Sequence, residues 1–272
     1  MGNNSTTIPV ALTIAGSDSG GGPGILADLK TFSALGVYGT SVITAVTAQN
    51  TQAVTAVHDI PPAVITAQLQ AVLDDIEVHA IKIGMLSSVE TIEAVRAGIQ
   101  GYAGPIVLDP VMVAKSGDHL LQQSAVTALT QQMLPIATVL TPNLPEAAVL
   151  TKQAEATTET DTIAQGEQLL AMGAQAVLMK GGHATGDICH DLLLTSGHAQ
   201  KTLSAKRINT RNTHGTGCTL SSAIAAFIAR GHDVSSAVDE AHAWLHQAIV
   251  HADQLNIGQG HGPVHHFHQW WI

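Results

Sequence analysis

The tightest constraint on the fold is a repeated alternation of short apolar runs with longer helix-compatible stretches. Val10-Ala11-Leu12-Thr13-Ile14-Ala15 reads as a buried strand, and a glycine-rich turn (16–24) then leads into a helical stretch (25–35). The run 37–47 is rich in Val, Ile and Thr, which favours a strand, and 54–58 reads as another. Pro61-Pro62 opens a helix through about residue 73, because proline suits a first helical turn. Strands follow at 80–83, 106–108, 138–140 and 176–179, with a helix at 89–99. A hairpin spans 188–204, turning at Ser196-Gly197, and helices at 216–229 and 234–252 close the pattern. Strand, helix, strand in this order specifies right-handed βαβ units on a mostly parallel sheet. The strands are apolar throughout, so helices should cover both faces. The expected class is α/β, as one domain over residues 1–272. In such folds ligands bind in loops at the C-terminal strand ends.

Composition narrows the function. Hydrophobic residues make up 45% of the 272 residues and charged ones 12%, enough apolar material for a large core and too little charge for a disordered chain. The net charge of −10 and the lack of a Lys/Arg cluster argue against general nucleic-acid binding. Two cysteines cannot build a disulfide framework, which favours a reducing compartment. There is no signal-peptide pattern and no run of about 18 apolar residues, so a cytoplasmic chain without a membrane span is expected.

Four loops carry candidate chemistry. In Gly16-Ser17-Asp18-Ser19-Gly20-Gly21-Gly22-Pro23-Gly24 the glycines let the backbone approach a ligand. Gly22-x-Gly24-x-x-Ala27 loosely matches a dinucleotide fingerprint, but the acidic residue that reading wants is missing after the second strand. A tight turn, or a turn shaped around a small substrate, are the other readings. Asp28 either favours the helix N-terminus or contacts substrate. Thr213-His214-Gly215-Thr216-Gly217-Cys218 runs into an Ala-rich helix, where free N–H groups and the helix dipole form an anion site. Cys218 in that first turn is expected to have a depressed thiol pKa and to act as a base; packing under the turn is the plainer reading. In Thr141-Pro142-Asn143-Leu144-Pro145-Glu146, Asn143 and Glu146 suit a hydrated Mg²⁺ or, equally, a capping box. Asp109 ends a strand at the same edge, and Lys180-Gly181-Gly182-His183 follows another, placing a cation near phosphates.

Taken together these segments resemble the ribokinase superfamily, and within it the bacterial hydroxymethylpyrimidine/phosphomethylpyrimidine kinases of thiamine biosynthesis. The resemblance rests on residues 11–22, 27–32, 44–51, 82–86 and 108–112, on Thr141-Pro142-Asn143-Leu144-Pro145-Glu146-Ala147, and on Gly215-Thr216-Gly217-Cys218-Thr219. Only Pro23 and Leu26 depart from the small or polar residues expected in the glycine-loop region. The resemblance implies a ribokinase-like three-layer sandwich, ATP and Mg²⁺ at the C-terminal strand edge, and a homodimer. It implies that Gln49 hydrogen-bonds an aminopyrimidine, with Asp28, Met85 and Gly16 nearby. It also implies Asn143, Lys180 and Thr216 on the nucleotide side, Glu146 and Asp109 toward the metal, and Gly215, Gly217 and Cys218 at the transferring group. A pyridoxal kinase is the alternative, since its substrate also carries a hydroxymethyl on a nitrogen heterocycle. A catalytically lost binding protein and a dinucleotide oxidoreductase are more distant readings. The tail histidines His261, His265, His266 and His268 read as a metal tract or, more simply, as a segment packed near the nucleotide edge, with Trp270 and Trp271 docked on the body or at a dimer contact.

Overall fold

The computed structural model describes residues 7–112, 123–181 and 186–271. Six parallel strands form the centre of an eight-stranded sheet: β1 (Val10–Ala15), β2 (Tyr38–Ile43), β5 (Ala80–Ile83), β6 (Ile106–Leu108), β7 (Val139–Leu140) and β8 (Ala176–Lys180). The hairpin β9 (Ile188–Thr195) and β10 (Lys201–Lys206) adds two antiparallel strands at one edge, giving the order β10-β9-β8-β7-β6-β5-β1-β2. A separate antiparallel pair, β3 (Ala45–Gln49) and β4 (Val54–Asp59), stands outside this sheet.

Alternate strand residues enter two different cores, which is why the strands read as apolar on both faces. Leu12, Ile14, Ile81, Ile83, Leu108 and Leu140 pack with Ile65 and Leu69 of α2 (Pro62–Leu73) and Ile92 of α3 (Val89–Gly98). Ala11, Ala80, Val107, Val139 and Leu178 face the other way, against Phe32 of α1 (Gly24–Ala34), Ile224 of α7 (Thr216–Ala229) and Trp244 of α8 (Val234–Val250). The result is the three-layer sandwich expected from the sequence. Among the described residues no helix is long and apolar enough to cross a membrane.

Two strand expectations need correction. The run 37–47 is not one strand: it breaks at Thr44, whose N–H donates to Ala15 O, whose hydroxyl donates to Met85 O, and whose carbonyl accepts from Ile60 N–H. These contacts stitch Thr44 into the sheet's C-terminal edge and turn the following strand away from it. The 54–58 strand pairs with that diverted strand as β4, largely exposed to solvent rather than in the central sheet. The helices α4 (Gln123–Ala128) and α6 (Glu159–Ala171) add to the expected elements, α6 opening on a capping box of Thr158 and Asp161, and α5 (Leu144–Thr151) follows the cap weighed at Asn143 and Glu146.

Phe32 is fully buried between α1 and the sheet. Phe32→Ala should lower unfolding free energy by about 3–5 kcal/mol, seen as a lower urea midpoint with an unchanged slope.

Candidate active site

The glycine-rich turn leaves β1 at the C-terminal strand edge and folds back on itself. Gly16 O accepts Ile25 N–H at 3.0 Å, and Gly24 has φ +64° in a place where a side chain would also collide with that same carbonyl, so both call for glycine. Asp18 pins the turn by accepting Gly20 N–H at 2.7 Å and Gly22 N–H at 2.8 Å. Opposite it, α7 begins at Gly215 with φ +82°; a Cβ at this position would lie 2.5 Å from Gly22 O. Glycine at 215 therefore lets the helix start meet the glycine turn backbone to backbone. The first-turn N–H groups of Gly217 and Cys218 have no intrahelical acceptor and open on the cavity between these segments.

That cavity has a volume of about 800 Å³. Gly16, Gln49 and Met85 line one end, and Asp109, Asn143, Glu146, Lys180 and Gly215 to Cys218 line the middle. Apolar Ala205, Ile208, Leu245 and Ile249, with His242 and His246, line the other end between the β9–β10 hairpin and α8. Asp28, expected near the substrate, does not line it. Asp28 is fully buried behind the wall, where its carboxylate accepts from Thr13 Oγ1 at 2.6 Å, Ser222 Oγ at 2.6 Å and Lys82 Nζ at 2.9 and 3.0 Å. It acts on the cavity through Lys82, which does line it. Burial alone would lower the Lys82 pKa; Asp28, with Cys218 and Asp109 farther away, raises it above the ordinary lysine value.

The middle of the cavity is a charged cluster. Lys180 Nζ lies 3.0 Å from Asp109 Oδ1 and 3.9 Å from Glu146 Oε2. A Cβ on Gly217 would stand 3.5 Å from Lys180 Nζ, so the ammonium sits beside the start of α7. Burial opposes Lys180's charge, but Asp109 and Glu146 outweigh it and raise its pKa to about 12. Burial also opposes ionisation of Asp109, and Lys180, Lys82 and the hydrogen bonds from Lys180 and Thr141 overcome it, holding the carboxyl below its usual range. Glu146 goes the other way: burial, reinforced by Asp109, pushes it up to about 7 despite Lys180.

Asn143 and Glu146 form the capping box weighed from sequence: Glu146 N–H donates to Asn143 Oδ1 and Asn143 N–H donates to Glu146 Oε2, both at 2.8 Å. The cap does not use up the carboxylate, which still faces the cavity. Two carboxylates and an amide oxygen, with Glu146 only partly compensated by Lys180, suit a hydrated hard cation. Among the described residues there is no group of three or more His, Cys, Asp or Glu that forms an all-protein metal cage. Gly182 and His183 of the fourth loop lie outside the described residues; Gly181 is fixed by Asp191 Oδ1, which accepts its N–H at 2.9 Å.

Cys218 departs from expectation. Its thiol is not depressed: burial pushes it up to about 11, with Asp28 and Asp109 adding to the rise and Lys82 and Gly24 N–H opposing it. Desolvation and two neighbouring carboxylates act against the thiolate there. Sequence reasoning also missed Lys82, although a lysine inside the apolar run Ala80-Ile81-Lys82-Ile83 is itself a signal. It missed His214 and Asp18 as a pair, 3.6 Å apart on the cavity wall. The histidine tail is split: His261 N–H donates to Thr51 O and His214 N–H to Gly262 O near the Gln49 end, while His265 N–H donates to Ala248 O and His268 packs on Trp244, both on α8. Among the described residues it makes no metal cluster. His266 lies 2.9 Å from Thr219 Oγ1, and Trp271 stacks on Phe267, although both Trp270 and Trp271 stay largely exposed.

The model of the phosphomethylpyrimidine kinase family matches residues 18–265. A Rhizobium meliloti protein named hydroxymethylpyrimidine/phosphomethylpyrimidine kinase is 57% identical over 96% of this chain and 98% of its own. Among solved structures, an ADP complex of Bacillus subtilis pyridoxal kinase superposes with a TM-score of 0.90 at 38% identity, covering 98% of this chain and 100% of that one. A Clostridium difficile phosphomethylpyrimidine kinase superposes at 0.78 with 43% identity, over 89% and 99% of the two chains.

Lys82→Met should cost about 3–5 kcal/mol of stability, because it leaves Asp28 buried without its counter-charge; adding Asp28→Leu should recover part of that loss in the same urea titration. Alkylation of Cys218 by iodoacetamide in the free protein should be slow at pH 7.5 and accelerate only toward pH 10–11, followed by peptide mass spectrometry to separate it from Cys189. Rapid labelling at neutral pH would mean that the helix start dominates after all.

Proposed function

This chain belongs to the phosphomethylpyrimidine kinase family, and we propose that it transfers the γ-phosphoryl group of ATP to the hydroxymethyl oxygen of 4-amino-5-hydroxymethyl-2-methylpyrimidine, and in a second round to the resulting monophosphate, in thiamine biosynthesis. The observation that carries this reading is the convergence of Lys180, the open N–H groups of Gly217 and Cys218, and Gln49 on one cavity. The pyrimidine lies at the Gln49–Met85 end. Its hydroxymethyl group points toward Cys218, and the adenine occupies the apolar slot under α8.

Phosphoryl transfer spreads negative charge over the moving group, so positioning and electrostatics do most of the work. Lys180 and the start of α7, from Gly215 through Thr216 to Cys218, meet that charge. The alcohol oxygen forms its bond to the γ-phosphorus as the bond to the bridging oxygen breaks, and ADP leaves. The alcohol proton passes to Cys218 in its thiolate form. Lys82 favours that form, while burial keeps it a minor species at neutral pH. Mg²⁺ would supply positive charge against the phosphate oxygens. Glu146 and Asn143 would hold it through water, with Asp109 keeping Lys180 beside it. A cytoplasmic homodimer is the location and assembly proposed, on the family resemblance.

An ADP-release assay with Mg·ATP tests the reading, offering the pyrimidine alcohol, its monophosphate and pyridoxal in parallel. Turnover of both pyrimidines with pyridoxal much slower is expected; pyridoxal alone turning over would assign the chain to the activity of its Bacillus subtilis neighbour. Cys218→Ala should lower kcat far more than it changes KM. The wild-type rate should rise about tenfold per pH unit on the acid side of the thiol pKa. A flat profile, or an unchanged kcat in Cys218→Ala, would remove Cys218 from the proton-accepting role.

A further inference from the structure

The geometry points to His214 as the residue that fixes which way round the Gln49 carboxamide faces the substrate, and so as a determinant of specificity for an amine beside a ring nitrogen. This rests on the reading that Gln49 recognises the pyrimidine edge. Gln49 ends β3, and its backbone is held to the glycine turn: Ser19 Oγ donates to Gln49 O at 2.7 Å and accepts Gln49 N–H at 2.9 Å. Its side-chain amide spans two neighbours, with Oε1 3.3 Å from Thr47 Oγ1 and Nε2 3.3 Å from His214 Nε2.

An amide's two ends are told apart by their partners. The Thr47 hydroxyl has one hydrogen, and it is committed to Ser17 O at 2.7 Å. Thr47 Oγ1 can therefore offer Gln49 only a lone pair, so Oε1 on that side would set acceptor against acceptor. Nε2 on the other side would require His214 Nε2 to be unprotonated, and its lone pair would then face Asp18 Oδ2 at 3.6 Å, a second opposed pair. Turning the carboxamide over removes both conflicts. Gln49 N–H then donates to Thr47 Oγ1, and His214 Nε2–H donates to Gln49 Oε1 with the Asp18 carboxylate favouring that proton. Asp18 is itself fixed by Gly20 and Gly22 N–H, and Lys30, which also acts on Asp18, is tied to Gly21 O.

The imidazole is built in. Its backbone N–H donates to Gly262 O, and a Cβ on Gly22 would fall 2.3 Å from His214 Cδ2, so only glycine admits the ring. The arrangement leaves Gln49 one amide hydrogen on the Thr47 side and one oxygen lone pair on the His214 side. A substrate with a ring nitrogen and an adjacent amine meets both in one orientation: the amine toward His214, the ring nitrogen toward Thr47. A ring carrying a carbonyl in place of the amine would put oxygen against oxygen.

Two readouts test this on the full chain. Two-bond ¹⁵N–¹H correlation spectra of histidine-labelled protein, with His214 assigned by its loss in His214→Gln, should show Nε2 protonated; a neutral Nδ1–H tautomer would overturn the proposal. The ratio of kcat/KM for the 4-amino substrate to that for its 4-oxo analogue should fall about tenfold or more in His214→Phe, mainly through KM of the amino substrate, which is the effect of losing one hydrogen bond of orientation. His214→Gln, which retains an N–H donor, should restore most of the ratio. An unchanged ratio in His214→Phe with a wild-type urea midpoint would overturn the proposal. If Gln49→Leu keeps the wild-type ratio, the Gln49 reading itself fails, and the tautomer measurement separately decides whether His214 orients the amide.

Discussion

The buried pairing of Lys82 with Asp28 is the interaction on which the rest of the site depends. Both side chains are fully excluded from solvent, and charges so placed are costly unless every lone pair and proton is engaged. Here Asp28 comes from α1, Lys82 from β5, Thr13 from β1 and Ser222 from α7, so one carboxylate ties four elements together beneath the cavity. Ser222 lies one helical turn beyond Cys218, and the anchoring of α7 at that point sets where the helix start and its thiol sit. The pair ties the layers together and presents its positive end, Lys82, to the cavity wall.

Above it, the electrostatics follow from unequal compensation. Asp109 has Lys180, Lys82, Thr141 and Ser221 around it and stays ionised, whereas Glu146 shares Lys180 at longer range and is pushed toward neutrality. Incoming phosphate therefore meets a lysine already aimed by a carboxylate, next to first-turn backbone N–H groups without an intrahelical acceptor. The close approach of Gly215 to Gly22 makes this possible, because a side chain at position 215 would separate the helix start from the turn.

Much of the architecture is legible in the chain because strand residues buried on both faces must all be apolar, and the intervening helices must cover them. The central strands and the closing helices follow from that rule alone. The diverted strand β3 does not, since its Val, Thr and Ala residues suit a strand in either place; hydrogen bonds from Thr44 to Ala15 and Met85, distant in sequence, decide it. Most candidate site residues were visible because they occupy loops at one sheet edge. Asp28 was assigned to the cavity because the sequence does not show that its partner lies 54 residues away on a neighbouring strand.

Sequence by itself determined the α/β class, the edge of the sheet that carries function, and the glycine, Asn-x-x-Glu and Gly-x-Gly-Cys segments. These depend on local backbone freedom and on periodicity, which are properties of short stretches. Only the tertiary structure decided that the Cys218 thiol is raised rather than depressed, that Asp28 serves Lys82, and that His214 reaches Gln49. Each of those depends on desolvation and on charges or lone pairs brought together from distant parts of the chain, and electrostatic energies are set by distance in space and by burial, neither of which a linear order of residues contains.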